Sequence, residues 1–184
     1  MKKMERELAV LRQQVIDMGN LTEQMVLHAI DAITDFKHEE ITERVMKEEE
    51  RLDQMQLDID KEAIRLLTLY SPVAGDLRLI MSVSRITAEL ERIGDHSVNM
   101  CESLQLTHAE KEIVWLPEVE KMASVVKVMV SDALNSFVQS DIRKARATIA
   151  SDNMVDALND QIVGELLSIE VVREMLKGPT DLAT

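Results

Sequence analysis

Met4, Leu8, Leu11, Val15, Met18, Thr22, Met25, Ala29, Ala32 and Phe36 follow one another at alternating intervals of four and three residues, without a break. A strand alternates faces every second residue, so it cannot line up this set, whereas a helix puts all ten on one stripe. One helix over that seam is about 50 Å long at ~1.5 Å per residue. Such a helix is stable only when its stripe is buried on partners of similar length. Val26, Ile30 and Ile33 widen the stripe, as contact with two neighbours requires. The spacing predicts a second helix from near Glu39, with Ile41, Val45, Leu52, Met55, Ile59, Ala63 and Leu66 inward. SPVAGD at 71–76 interrupts it: Pro72 lacks a donor, Gly75 is permissive and Asp76 suits an N-cap. A third helix follows, with Leu79, Val83, Ile86, Leu90, Ile93, Ser97, Met100 and Leu104 in the same 4–3 rhythm. Three long helices joined by short turns make an antiparallel three-helix bundle.

The composition agrees with an all-α chain. Aromatic residues are only 2%, and there are 5 Gly and 3 Pro against 12 Met. The core must therefore be aliphatic and methionine-filled. Cys101 is alone, which excludes an internal disulfide and suits a reducing compartment. No window approaches eighteen uncharged apolar residues, and the charged start MKKMERELAVL does not read as a secretion signal. The net charge of −13 is spread over both halves: 13 basic and 21 acidic residues in 1–106, then 8 basic and 13 acidic in 107–184. Neither half is basic, which argues against nucleic acid and against anionic lipid.

The pattern then repeats. Met18, Met25-Val26 and Ala29-Ile30 recur at Met122, Met129-Val130 and Ala133-Leu134, an offset of 104. Leu52-Asp53, Met55 and Ile59 recur at Val155-Asp156, Leu158 and Ile162, an offset of 103. Pro72 and Asp76-Leu77 match Pro179 and Asp181-Leu182. The expected organisation is a first three-helix unit at 1–106, a linker at 107–117 with Pro117 as the first residue of the next helix, and a second, incomplete unit at 118–184. By analogy with 76–106, the second unit stops about 31 residues short, before its third helix. Val119, Met122, Val126 and Met129, with Ile149, Leu158, Ile162 and Ile169, are then a seam awaiting cover by a further segment or by a second copy, so a homodimer is one expectation.

ELERIGDHSVNM at 89–100 carries a second message beside its apolar seam. Glu91 and Asp95 lie four apart, Asn99 four further on and Glu102 three beyond that. Residues so spaced share one helix face about 5–6 Å apart, where carboxylates repel unless a cation lies between them. The second helix offers the same spacing at Glu49 and Asp53, and the repeat offers it at Asp152 and Asp156. Facing pairs on adjacent helices make an oxygen-rich cage for a hard or borderline cation. Since 30% of the residues are charged, and Glu39/Glu43 and Asp58/Glu62 share the spacing, solvated acidic faces on a metal-free helical scaffold are the competing interpretation. A ferritin-like di-metal carboxylate site wants Glu-x-x-His pairs, and none occurs: Glu91 is followed three later by Gly94, and Glu49 by Leu52. His96 points some 100° away from Asp95 on a helix and belongs to the surface. Arg78 is expected in a structural ion pair and Cys101 as a small buried hydrophobe. No nucleophile, glycine-rich phosphate loop or basic phosphate pocket stands out, so the chain is not expected to be an enzyme.

PVAGDLRLI at 72–80, followed by LERIGDHSVNMCE at 90–102, closely resembles the signature of the PhoU family of phosphate-transport regulators. The resemblance runs over the whole chain: two tandem units, each with an acidic ExxxD or DxxxD pattern. It implies a non-enzymatic cytoplasmic protein that restrains the phosphate-starvation response. The implied partners are the cytoplasmic parts of a phosphate ABC transporter and a sensor histidine kinase. It also implies a multinuclear iron or zinc cluster. The first site would use Glu49, Asp53, Glu91 and Asp95, with Asn99 and Glu102 as extra ligands; the second would use Asp152 and Asp156. All-oxygen ligation suits iron(III), manganese, magnesium or calcium better than structural zinc, so chemistry and resemblance meet on iron.

Overall fold

The computed structural model describes residues 2–35, 38–107 and 116–177. Every long element is a helix: α1 (Lys2–Asp35), α2 (His38–Tyr70), α3 (Ala74–Thr107), α4 (Pro117–Gln139) and α5 (Ile142–Lys177). Among the described residues there is no strand. The chain divides into two compact units, Met1–Ile113 and Val114–Thr184. The first holds α1, α2 and α3, each packed on the other two; the second holds α4 packed on α5. The interval 108–115, most of the expected linker, lies outside the described residues, as do Phe36, Pro179, Asp181 and Leu182.

The α1 seam is the axis of the first unit. Leu8, Leu11, Val15, Met18, Thr22, Met25, Ala29 and Ala32 are all buried, and Leu21 joins them. Thr22 is the one polar member. Its hydroxyl donates to the Met18 carbonyl at 3.1 Å and lies 3.4 Å from the Leu90 carbonyl of α3. From α2, Val45, Leu52, Ile59, Ala63 and Leu66 enter the core, while Ile41 and Met55 are only half-buried. On α3 the expected seam is right at three of its eight positions. Val83, Leu90 and Ser97 are buried, but Leu79, Ile86, Ile93 and Leu104 are half-buried and Met100 is exposed. The residues that complete the buried row are Ile80, Thr87, Gly94 and Cys101. This row keeps the 4–3 rhythm one step round the helix, because α3 sits close enough to α1 and α2 to prefer small residues. A Cβ on Gly94 would run into Leu52 Cδ2 and lie 3.3 Å from Met25 Cε.

The turn after α2 falls where expected, with a different distribution of strain. Ser71 and Ala74 take positive φ, 45° and 51°, and α3 starts at Ala74. Asp76 therefore lies in the first turn and is not the N-cap; there its charge still favours the helix N-terminus. In the second unit Pro117 occupies the first turn after Leu116, as expected. Glu118 follows, its carboxyl held below the usual range by its own backbone amide and then by Lys121, whose Nζ lies 3.2 Å away. The α4–α5 turn has neither Gly nor Pro. Ser140 adopts a left-handed φ of 53°, and Asp141 Oδ1 accepts from the Arg143 and Lys144 amides at 2.9 and 3.1 Å, capping α5. Lys144 Nζ reaches back to Asp132 at 2.6 Å.

Candidate functional site

The acidic positions on α2 and α3 face each other because the heptad fixes both helices. Leu52 and Leu90 are core residues; Glu49 and Asp53 flank the first, and Glu91 and Asp95 follow the second. All four carboxylates are half-buried at the α2–α3 boundary. Burial first, then the charges of Asp53, Asp95, Glu50 and Glu91, push the Glu49 carboxyl above its ordinary range. Burial, then Asp95 and Asp53, does the same to Glu91. Every neighbouring charge acting on these two groups is negative. Nearby, Ser84 donates to Asp60 Oδ1 at 3.1 Å, and His28 Nδ1 lies 2.9 Å from Glu48 Oε2, so polar links also tie α3 and α1 to α2.

The structure thus brings Glu49, Asp53, Glu91 and Asp95 into one electrostatic group. It does not bring them into a cage: among the described residues, no three acidic, His or Cys side chains stand in a geometry that would hold a metal ion. Asn99 and Glu102 continue the same face of α3 but are exposed and outside that group. Asp152 and Asp156 are exposed on α5, with no described helix opposite them in the position α3 takes in the first unit. The donor set fits a hard cation in charge and element type: four oxygen ligands, mutual repulsion and no counter-charge acting on Glu49 or Glu91. Coordination would require the four side chains to turn toward one another.

The other expectations resolve simply. His96 is exposed. Cys101 is buried and free; burial raises its thiol pKa, with a hydrogen bond to Thr42 opposing. Arg78 is exposed and makes no ion pair among the described residues, a correction to the expected pairing; it sits in the first turns of α3, on the side away from the core. Sequence reasoning missed Gly94 as a packing residue. Its signal was present: a glycine inside a strongly periodic helix, four after Leu90, marks close approach.

With this geometry established, comparison with known proteins is direct. The PhoU domain model matches residues 15–104 and again 119–181, once on each unit. The PhoU homologue of the phosphate-specific transport system of Aquifex aeolicus (strain VF5), an accessory protein, is 35% identical over 166 residues, covering 90% of this chain and 75% of that protein. The corresponding homologue of Clostridium acetobutylicum is 32% identical over 169 residues, covering 91% of this chain and 77% of its own. The crystal structure of PhoU from Pseudomonas aeruginosa superposes with a TM-score of 0.85 at 31% identity, over 91% of this chain and 80% of that one. Two helical units built on one repeat, each matched in turn by the same domain, make this chain a member of the PhoU family.

Proposed function

We propose that this protein is a non-catalytic accessory regulator of phosphate uptake. It restrains the phosphate-starvation response from the cytoplasm by docking on the cytoplasmic parts of a phosphate ABC transporter and on its sensor histidine kinase. The observation that carries this reading is the double match to the PhoU domain, together with relatives named as accessory proteins of a phosphate-specific transport system. Among the described residues no helix is long and apolar enough to cross a membrane, so action at a transporter calls for docking on its exposed parts. Expressed in a bacterium deleted for its own PhoU, the chain should restore low activity of a phosphate-starvation reporter in phosphate-rich medium; a reporter that stays fully on overturns the reading.

The acidic face is the second part of the proposal. Glu49, Asp53, Glu91 and Asp95 hold a metal cluster, iron being the choice on which ligand chemistry and family resemblance agree. A bound cation would turn their mutual repulsion into attraction and clamp α2 to α3. Protein purified without a metal-affinity tag should carry iron, and added metal should raise its melting temperature. Glu91→Gln with Asp95→Asn should abolish both effects and leave helix content intact. Unchanged metal content in that double variant would reduce the face to a solvated surface.

A further inference from the structure

The first unit carries a second periodic stripe, on its outside. On α2, Glu49, Asp53, Leu57, Asp60, Ile64 and Leu67 follow at intervals of four or three; on α3, Leu77, Met81, Ser84, Ala88, Glu91 and Asp95 do the same. Each set is one helix face. Three rungs fix the antiparallel register of the two: Ser84 donates to Asp60 Oδ1 at 3.1 Å, Asp53 is among the charges acting on Glu91, and Asp95 is among those acting on Glu49. In that register Leu57 stands beside Ala88, Ile64 beside Met81 and Leu67 beside Leu77, with Val73 of the turn beyond them. None of these positions is buried. Ile64 is 64% exposed, Leu57 54%, Met81 49% and Val73 76%. A strip about 27 Å long from Glu49 to Leu67, at ~1.5 Å per residue, thus runs from an acidic end to an apolar end.

We propose that this strip is a docking surface, and that its occupant is an amphipathic helix of a membrane partner, with an apolar row at one end and lysines or arginines at the other. The inference rests on the docking reading above and says which face docks and on what. The twelve positions of the two faces hold five carboxylates and no base, so the end of the partner that meets Glu49, Asp53, Glu91 and Asp95 must be positive. Arg85 and Arg92 lie a step further round α3, and Lys61, outside the strip on α2, is paired with Asp58 at 3.2 Å. A second copy does not fit. On a two-fold interface the strip would meet itself, setting acid on acid in one sense and carboxylates on apolar side chains in the other. Anionic lipid headgroups and nucleic acid are repelled by the acidic end. A helix of about five turns spans the strip and satisfies its own backbone, so only its side chains have to match. Short cytoplasmic segments of membrane proteins are rich in Lys and Arg close to their spans, and a helix lying at that surface carries an apolar face beside a basic one. That is the chemistry the strip selects.

The test titrates two fluorescent helical peptides of about eighteen residues into the full chain, stripped of metal by chelation so that its carboxylates are free. Both carry leucines on one face of the first half; on that face of the second half one carries lysines and the other glutamates. The lysine peptide should bind saturably, and the glutamate peptide at least about tenfold more weakly. Ile64→Gln with Met81→Gln should weaken the lysine peptide at least about tenfold, whereas Val10→Gln, at an exposed position of α1, should leave it unchanged. All three side chains are exposed, so the variants keep their helix content, which circular dichroism checks. In the phosphate-starvation reporter strain, the Ile64→Gln, Met81→Gln chain should leave the reporter on, and the Val10→Gln chain should lower it as the unsubstituted chain does. No saturable binding, equal binding of the two peptides, or binding indifferent to the double substitution would overturn the inference. So would a double variant that still lowers the reporter, or a chain that elutes as a dimer and is split by the double substitution, which would assign the strip to a second copy. Peptide binding as expected, by a chain that never lowers the reporter, would remove the phosphate reading and leave the strip's preference for a basic amphipathic helix standing.

Discussion

The two units of this protein share a repeat but differ in closure. In the first, α3 completes a triangle and the α1 stripe from Leu8 to Ala32 lies in a dry core. In the second, the counterparts Met122, Val126 and Met129 are half-buried, with α4 packed on α5 among the described residues. A 4–3 apolar seam is therefore a necessary statement about a helix and an incomplete one about its environment. The seam determines which face turns inward; the number of neighbouring helices determines how much water is removed. At about 25 cal/mol per Å² of apolar surface, burial by α3 is a large part of what stabilises the first unit.

Truncating equivalent residues should expose the difference most strongly. Leu52 is fully buried between α1 and α3, and its repeat counterpart Val155 is half-buried on α5. Leu52→Ala should cost about 2–5 kcal/mol in denaturant unfolding, from lost transfer and a residual cavity. Val155→Ala should cost less than about 1 kcal/mol, since water already reaches the site. Equal losses would mean that water is excluded equally from both sites.

Two glycines sharpen the same contrast with opposite signs. A methyl group at Gly94 meets Leu52 and Met25, while one at Gly164 of α5 meets nothing within 4 Å. Gly94→Ala should destabilise by about 1–3 kcal/mol through overpacking, partly relieved if the Leu52 end shifts. Gly164→Ala should stabilise α5 by up to about 1 kcal/mol, the ordinary helix-propensity gain. Thermal melts of both variants decide it, and a gain at Gly94 would show that α3 has room to move away.

How much of this was readable in advance follows from which forces are local. The α1 stripe is purely periodic, and all of its described interior members from Leu8 to Ala32 are buried. Pro117 and the break at 71–73 are backbone chemistry and fall where expected. The α3 seam is partly right, because Ile80, Thr87, Gly94 and Cys101 compete with equally periodic Leu79, Ile86, Ile93 and Met100. Choosing between those rows depends on interhelical distance, which a single helix does not encode. Gly75 drew attention as the flexible turn residue, yet the positive φ values fall on Ser71 and Ala74, a choice made by how α2 and α3 dock. The acidic spacing put four carboxylates near one another, and among them burial and like charge raise Glu49 and Glu91; whether the four converge is a question of side-chain rotation, which the i, i+4 rule leaves free.

The smallest effect, and the most diagnostic of the acidic face, is a matter of sign. Burial and like-charged neighbours raise the pKa of Glu49 and Glu91 in the folded chain. The folded state therefore holds these protons more tightly than the unfolded one. The resulting stability is fully present below the ordinary carboxylate range and is lost as pH rises through the raised values. At neutral pH both groups are ionised against their surroundings, so Glu49→Gln in metal-free protein should gain about 0.5 kcal/mol, the scale of one like-charge helix pair. The gain should vanish in acid, where the wild-type carboxyl is already neutral. Asp152→Asn, at the exposed counterpart on α5, should gain at most a few tenths of a kcal/mol, because no described helix brings a second acidic pair against it. Metal reverses the first sign and not the second. If Glu49 is a ligand, Glu49→Gln in metal-loaded protein removes an attraction and lowers the melting temperature. A Glu49→Gln gain of the same size with and without metal would show that α2 and α3 hold no cation between them.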